Sequence, residues 1–226
     1  MEQIYQQMWA DNLPKIKQGH IHIDSNIDNP TDNRKGITLR IRFEQPVRLA
    51  MAAFLEKTKA IAPLQYAYPD TDLHITALSI FSCQANFMLH QINLEDYKQL
   101  LSKALQGQPA FSLNFKGITL SPTGIIAKGY DASGTLNQIR NSIRTAFKQS
   151  TLENTIDKRY VLQAAHCTLL RFKAPLQATD SFLDFVKQYQ DFPFGTTKVS
   201  QLDLVYNDWY MKTDNVVVLA RYSLRQ

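Results

Sequence analysis

Cysteine is nearly absent from this chain of 226 residues: only Cys83 and Cys167 occur, far apart and without metal-ligand spacing. Neither a disulfide framework nor a thiolate zinc site is available from them. Long hydrophobic runs are missing too, since nothing approaches the ~18 consecutive apolar residues of a membrane helix. The opening Met1-Glu2-Gln3 lacks the basic-then-apolar order of a secretory signal. These absences predict a soluble protein of the cytoplasm with no membrane partner. What is present is ordinary for a globular chain, 44% apolar and 20% charged, which excludes disordered, collagenous and mucin-like classes. The net charge is +5, with basic residues in short groups: Arg34-Lys35, Arg40 and Arg42, Arg140 and Arg144, Lys158-Arg159, Arg171 and Lys173. That balance permits an anionic partner without demanding one, and scattered surface cations explain it equally well.

Residues 2–18 place Ile4, Met8 and Leu13 on one side of a helix that Pro14 or Gly19 would stop. Asp24 to Gly36 is dense in turn formers and reads as a surface loop. Residues 1–36 are therefore expected to form an N-terminal extension, and residues 37–226 the main domain. Ile37, Leu39, Ile41 and Phe43 alternate with Thr38, Arg40 and Arg42, which predicts a strand with both arginines on one face. Val47, Met51, Phe54 and Leu55 describe an amphipathic helix. A short strand over Leu64–Tyr68 and a turn at Pro69–Asp72 lead into a nearly continuous apolar strand, Leu73–Phe81.

The second half repeats these ingredients loosely. Leu94, Tyr97, Leu101 and Leu105 mark a helix, and strand-like segments follow at Phe111–Phe115, Ile118–Leu120 and Gly124–Gly129. Leu136, Ile139, Ile143 and Phe147 make another helical stripe. A second apolar strand covers Val161–Phe172, with a helix around Phe182, Phe185 and Val186 and a closing hairpin of Val199–Tyr206 with Val216–Leu224. This order favours an α+β fold with mostly antiparallel sheet.

Two of the five histidines begin the same pattern, His74-Ile75-Thr76 and His166-Cys167-Thr168. Strand alternation puts each histidine and its threonine on one face, about 7 Å apart. Ser and Thr fill 28 of 226 positions, so two such matches arise by chance in roughly one chain in ten, and the spacing alone is weak. Context strengthens it, because both pairs sit in long apolar strands where an unpartnered imidazole is costly to bury. Each histidine taken singly is explained as a satisfied core residue; the matched pair points to a shared cleft. Two facing imidazoles can divide labour, one neutral to take a proton from water and one protonated to supply a leaving oxygen. The threonine hydroxyls can hold negative oxygens between them.

The segments His74-Ile75-Thr76-Ala77-Leu78 and His166-Cys167-Thr168-Leu169-Leu170-Arg171 resemble the paired motifs of the two-histidine (2H) phosphoesterase superfamily. That group includes RNA 2′,3′-cyclic phosphodiesterases and the 2′–5′ RNA ligases. The resemblance spans about residues 37–224. It implies a bilobal fold of two related sheet lobes, helices packed outside, each lobe giving one motif to a central groove. It also implies a hydrolase of cyclic phosphodiesters in nucleotides or RNA ends, with no metal or other cofactor, and a monomer is expected. In the favoured assignment His166 activates water, His74 protonates the departing ribose oxygen, and Thr76 and Thr168 hold the nonbridging oxygens; the two histidine roles are exchangeable. The alternative is an inactive module that binds a nucleotide or RNA end.

Further residues are placed by the same geometry. Tyr66 and Tyr68 share a strand face ahead of the first motif and either stack on a base or ribose or pack as ordinary tyrosines. Arg40 and Arg42 either fork onto phosphate oxygens or stand as solvated edge charges. Arg171 matches a basic position of the family, yet strict alternation turns it away from His166 unless the strand bends. By the same parity Cys167 is a packing residue. The run His20-Ile21-His22-Ile23-Asp24 resembles a zinc-binding His-x-His-x-Asp motif, but Ser25 stands where a further histidine belongs, and a loop is the better reading.

Overall fold

The change from polar loop to alternating apolar residues at Lys35 sets the first strand. In the computed structural model, which describes residues 1–226, the elements follow as α1 (Glu2–Lys17), β1 (Lys35–Ile41), α2 (Gln45–Ile61), β2 (Tyr66–Ala67), β3 (Ile75–Gln84), α3 (Leu94–Leu105), β4 (Phe111–Ser121), β5 (Gly124–Tyr130), α4 (Thr135–Lys148), β6 (Ala165–Arg171), α5 (Thr179–Gln188), β7 (Pro193–Val199), β8 (Gln201–Asp208) and β9 (Val217–Ser223). Pro46 in the first turn of α2 fits there because its missing N–H would go unused. Val47, Met51, Phe54 and Leu55 form the buried face of that helix.

The strands make two sheets, ordered β3-β1-β8-β9 and β2-β6-β5-β4-β7. Every ladder between strands is antiparallel. The lobes are interlocked rather than sequential. The first sheet is completed by the C-terminal hairpin β8-β9, and β2, from the first half of the chain, joins the second sheet at β6. Helix α2 packs on β6 and β7, while α4 packs on α3 and β3. One continuous hydrophobic core of 46 buried residues joins both sheets, so neither lobe can bury its apolar face without the other.

Several local expectations are corrected. Pro14 lies inside α1 rather than ending it; it removes the one hydrogen bond its N–H would make to the carbonyl four residues earlier, and the helix continues for only three residues beyond it. The buried residues of α1 are Tyr5, Asn12 and Ile16, leaving Ile4 and Met8 half-exposed. The two segments around Phe111 and Ile118 form one strand, kinked by an extra residue between Phe115 and Ile118, where Gly117 takes φ 75°. Strand β7, at a sheet edge, has the sequence Pro-Phe-Gly-Thr-Thr-Lys-Val, whose pattern does not announce a strand. Residues 161–164 lie outside β6, with Val161 exposed. No helix is long and apolar enough to cross a membrane.

Residues 1–36 are tied into the second sheet. Thr119, Ile126 and Thr168 are successive cross-strand partners on β4, β5 and β6 and so share one face. Thr119 Oγ1 donates to the Tyr5 carbonyl at 3.1 Å, which lays α1 across that same face. The fully buried Tyr5 hydroxyl donates to the Ala165 carbonyl at 2.7 Å and accepts from the Gly129 N–H at 3.1 Å. Tyr5→Phe strands both backbone groups and should lower the unfolding free energy by about 1–3 kcal/mol, read from urea denaturation; an unchanged midpoint would show that α1 is not held this way.

Candidate active site

The strands β3 and β6 lie next to each other at the junction of the two sheets. Cys167, buried and turned away from His166 as parity requires, meets the backbone N–H of His74. His74, Thr76, His166, Thr168, Tyr68 and Arg171 line a single pocket of about 190 Å³.

The two motifs carry the same backbone irregularity. On β3, Thr76 pairs with Arg40 and Leu78 with Leu39, so Ala77 is an extra residue. On β6, Thr168 pairs with Ile126 and Leu170 with Ile125, so Leu169 is extra. Each bulge leaves two consecutive buried residues and returns the fifth residue after the histidine to the pocket. That residue is Ser79 in the first motif and Arg171 in the second, and both line the pocket. Strict alternation therefore fails for Arg171, which shares the face of His166 because the strand bulges at Leu169. Its Nε donates to the Tyr68 hydroxyl at 2.9 Å, and Asp24, from the N-terminal loop, lies 4.0 Å from Nη1.

Each imidazole is oriented by the carbonyl two residues before it. His74 Nδ1 lies 2.7 Å from the Asp72 carbonyl. A carbonyl only accepts, so Nδ1 carries the proton and Nε2 keeps its lone pair. The Asp72 carboxylate holds that turn in place by accepting from the Thr213 N–H and hydroxyl. His166 has the same relation to the Ala164 carbonyl. Burial pushes both histidines down to about 4. For His74 the Asp72 carbonyl is the leading opposing influence, whereas for His166 the Arg140 cation first reinforces the burial. Both rings are thus neutral near pH 7 in the free protein.

Arg140, which the sequence presents only as part of a basic group, is fully buried and bridges the two motifs. Its Nε donates to the Ala77 carbonyl (2.7 Å), Nη2 to Thr76 (3.3 Å) and Ala164 (3.1 Å), and Nη1 to Gln163 (2.7 Å) and the Asn137 side chain (3.2 Å). All of its N–H groups are used. A signal existed, because Arg140 falls four residues after Leu136 and three before Ile143, within the apolar stripe of α4.

The other expected residues separate. Tyr68 is buried in the pocket wall, whereas Tyr66 packs edge-on against it at 5.1 Å and does not line the pocket. Arg40 is buried with its Nε 3.8 Å from the Asp203 carboxylate, too far for a hydrogen bond, and acts on His74 through its charge without lining the pocket. Arg42 is exposed just past the end of β1, outside the pocket. His20 and His22 are exposed in the N-terminal loop, and no three His, Cys, Asp or Glu side chains are grouped to hold a metal ion. Trp209 and Arg159 carry no motif that marks them in the sequence. Both line the pocket, and the guanidinium groups of Arg34 and Arg159 each lie 4.6 Å from the Trp209 ring centroid.

Arg140→Met removes the donors of four backbone carbonyls and should cost more than about 3 kcal/mol in urea unfolding, with Arg140→Lys recovering only part because an ammonium cannot span both strands. A loss below about 1 kcal/mol, the net worth of one ordinary hydrogen bond, would contradict the bridging role. The depressed histidines fix a second outcome. The unfolded chain takes up protons between about pH 6.5 and 4 that the folded chain refuses, so stability is complete above pH 6.5 and falls as pH drops toward 4. Replacing both with glutamine should flatten that slope, and an unchanged slope would place the histidines in ordinary solvent.

Comparison with known proteins places the fold. The family model described as "2'-5' RNA ligase superfamily" matches residues 47–209. Similar solved structures include TT0787 of Thermus thermophilus (TM-score 0.60, 22% identity, covering 84% of this chain and 98% of that one). They also include E. coli LigT complexed with phosphate (0.56, 15%, 86% and 99%), and ATU0111 from Agrobacterium tumefaciens, a conserved protein of unknown function (0.61, 13%, 95% and 97%). A search of the curated proteins gives no match. With one histidine-threonine motif from each of two interlocked sheets, and with most of its length covered by the family model, the chain belongs to the 2′–5′ RNA ligase superfamily of 2H phosphoesterases.

Proposed function

We propose that the protein is a phosphodiesterase that opens a cyclic phosphodiester of a nucleotide or RNA end by two-histidine acid–base catalysis. The observation that carries this reading is the convergence of His74, Thr76, His166 and Thr168, from strands of different sheets, on one pocket. Arg171 at its edge and the buried Arg140 behind it add positive charge suited to a phosphate.

In this mechanism the phosphorus lies between the two rings. His166, kept neutral by burial and by Arg140, takes a proton from water as the water oxygen bonds to phosphorus. The bond from phosphorus to one ribose oxygen breaks, and His74 supplies the proton that this oxygen needs, leaving a phosphomonoester and a free hydroxyl. Thr76 and Thr168 donate to the nonbridging oxygens, whose charge grows as water adds. His74 must be protonated before it can act, although burial holds it down to about 4 in the empty pocket. The anionic phosphodiester supplies the remedy, since a negative charge beside an imidazole favours its charged form. Acid catalysis then becomes available only with substrate in place.

Turnover of 2′,3′-cyclic nucleotides should persist with chelator present. His74→Ala and His166→Ala should each lower kcat by about 10²–10⁴-fold while circular dichroism shows an intact fold. Activity that survives both substitutions, or that disappears with chelator, overturns the mechanism.

A further inference from the structure

The histidine pocket has a neighbour. Along β6 it opens into a second chamber of about 600 Å³ that shares His166, Thr168, Arg171 and Trp209 with it. Its far wall is Ile4 and Met8 of α1, its floor includes Ile126, and Tyr160 and Val161 stand opposite. Apart from Ile126, which is buried, these apolar groups have no packing role that accounts for them: Tyr160 and Val161 are 64% and 56% exposed, and Ile4 and Met8 lie off the buried face of their helix. No carboxylate lines the chamber, its two cations Arg159 and Arg171 are shared with the histidine pocket, and Thr123 and Gln163 offer further hydrogen-bonding groups.

The two volumes differ in what they can hold. At about 190 Å³ the histidine pocket is below the usual size of a small-molecule site, whereas about 600 Å³ lies inside that range. A phosphate and part of a sugar occupy the first; whatever the sugar carries must lie elsewhere, and the chamber adjoins the phosphate position directly. Away from Arg159 and Arg171, which line both volumes and so stand on the phosphate side, its lining suits a flat group with a polar edge, since aromatic and aliphatic faces take the flat surface and Thr123 and Gln163 the edge.

We propose that this chamber is the base subsite: it receives the nucleobase of a nucleotide whose phosphate lies between His74 and His166, and α1 supplies its wall. The proposal rests on the phosphodiester reading for the position of the phosphate. It gives the segment ahead of β1, which lies outside the residues matched by the family model, a part in choosing the substrate.

The test compares adenosine 3′-phosphate with inorganic phosphate in calorimetric titrations of the full chain. It then compares adenosine 2′,3′-cyclic phosphate with the base-free methyl riboside 2′,3′-cyclic phosphate in turnover. Met8→Glu on one wall and Val161→Glu on the other should each weaken adenosine 3′-phosphate by about tenfold or more, leaving phosphate affinity unchanged. Each should raise KM for the cyclic nucleotide but not for the base-free ester. The two walls belong to different segments, so a folding failure in one variant leaves the other informative. Equal loss for both members of either pair, no loss with either variant, or a wild-type preference for an alkyl cyclic phosphate would overturn the subsite. Base-dependent binding without hydrolysis by the wild type would instead overturn the catalytic reading and support the chamber.

Discussion

Arg140 carries a positive charge into the interior and meets no carboxylate there. Its partners are backbone carbonyls from the bulge of β3 and from the residues just ahead of β6, with one side-chain amide on its own helix. Taking a guanidinium out of water is expensive, and carbonyl dipoles offset that cost only when every N–H is matched. Here they are matched, so the separation of the two motif strands is set by the span of one rigid, planar group. Burial lowers its pKa to about 10, which still leaves it charged at neutral pH. After burial itself, that charge is the leading influence lowering His166, whereas at His74 the Asp72 carbonyl opposes the burial and Arg40 adds to it. Burial nevertheless holds both histidines down to about 4, so the near-symmetric scaffold keeps the two rings alike in the empty pocket.

The symmetry itself is backbone-deep. Both motifs orient their histidine with a carbonyl two residues earlier, both bulge after the threonine, and both return a polar residue to the pocket five positions after the histidine. Where the halves differ, chemistry differs as well. Ser79 is neutral where Arg171 is charged, and α1 crosses the face of the second sheet, chiefly at β4, with Tyr5 reaching β5 and β6. The pocket is therefore symmetric at its histidines and threonines and one-sided in its surroundings.

Much of this is legible in the sequence, and the exceptions share a cause. Helices α2 to α5 and the strands carrying His74 and His166 follow from periodicity, because each buries a face that the pattern declares. The matched histidine-threonine pairs stand out because polar groups in apolar strands need a reason. What is not legible depends on partners distant in the chain. A bulge such as that at Leu169 exists only relative to β5, so parity turns Arg171 to the wrong face. Arg140 interrupts the stripe of α4 visibly, but its carbonyl partners lie in segments that no local pattern joins. The inner-face placement of α1 is set by Tyr5 and its bonds to Gly129 and Ala165, whereas Ile4 and Met8 suggest the opposite orientation.

The central claim is that two imidazoles from different sheets address one phosphorus atom. A crystal structure of the protein with adenosine 3′-phosphate tests it most directly. The account predicts phosphate oxygens within hydrogen-bond distance of His74 Nε2 and His166 Nε2, with the hydroxyls of Thr76 and Thr168 donating to the same group. A phosphate bound to one histidine alone, or seated away from both, would contradict it.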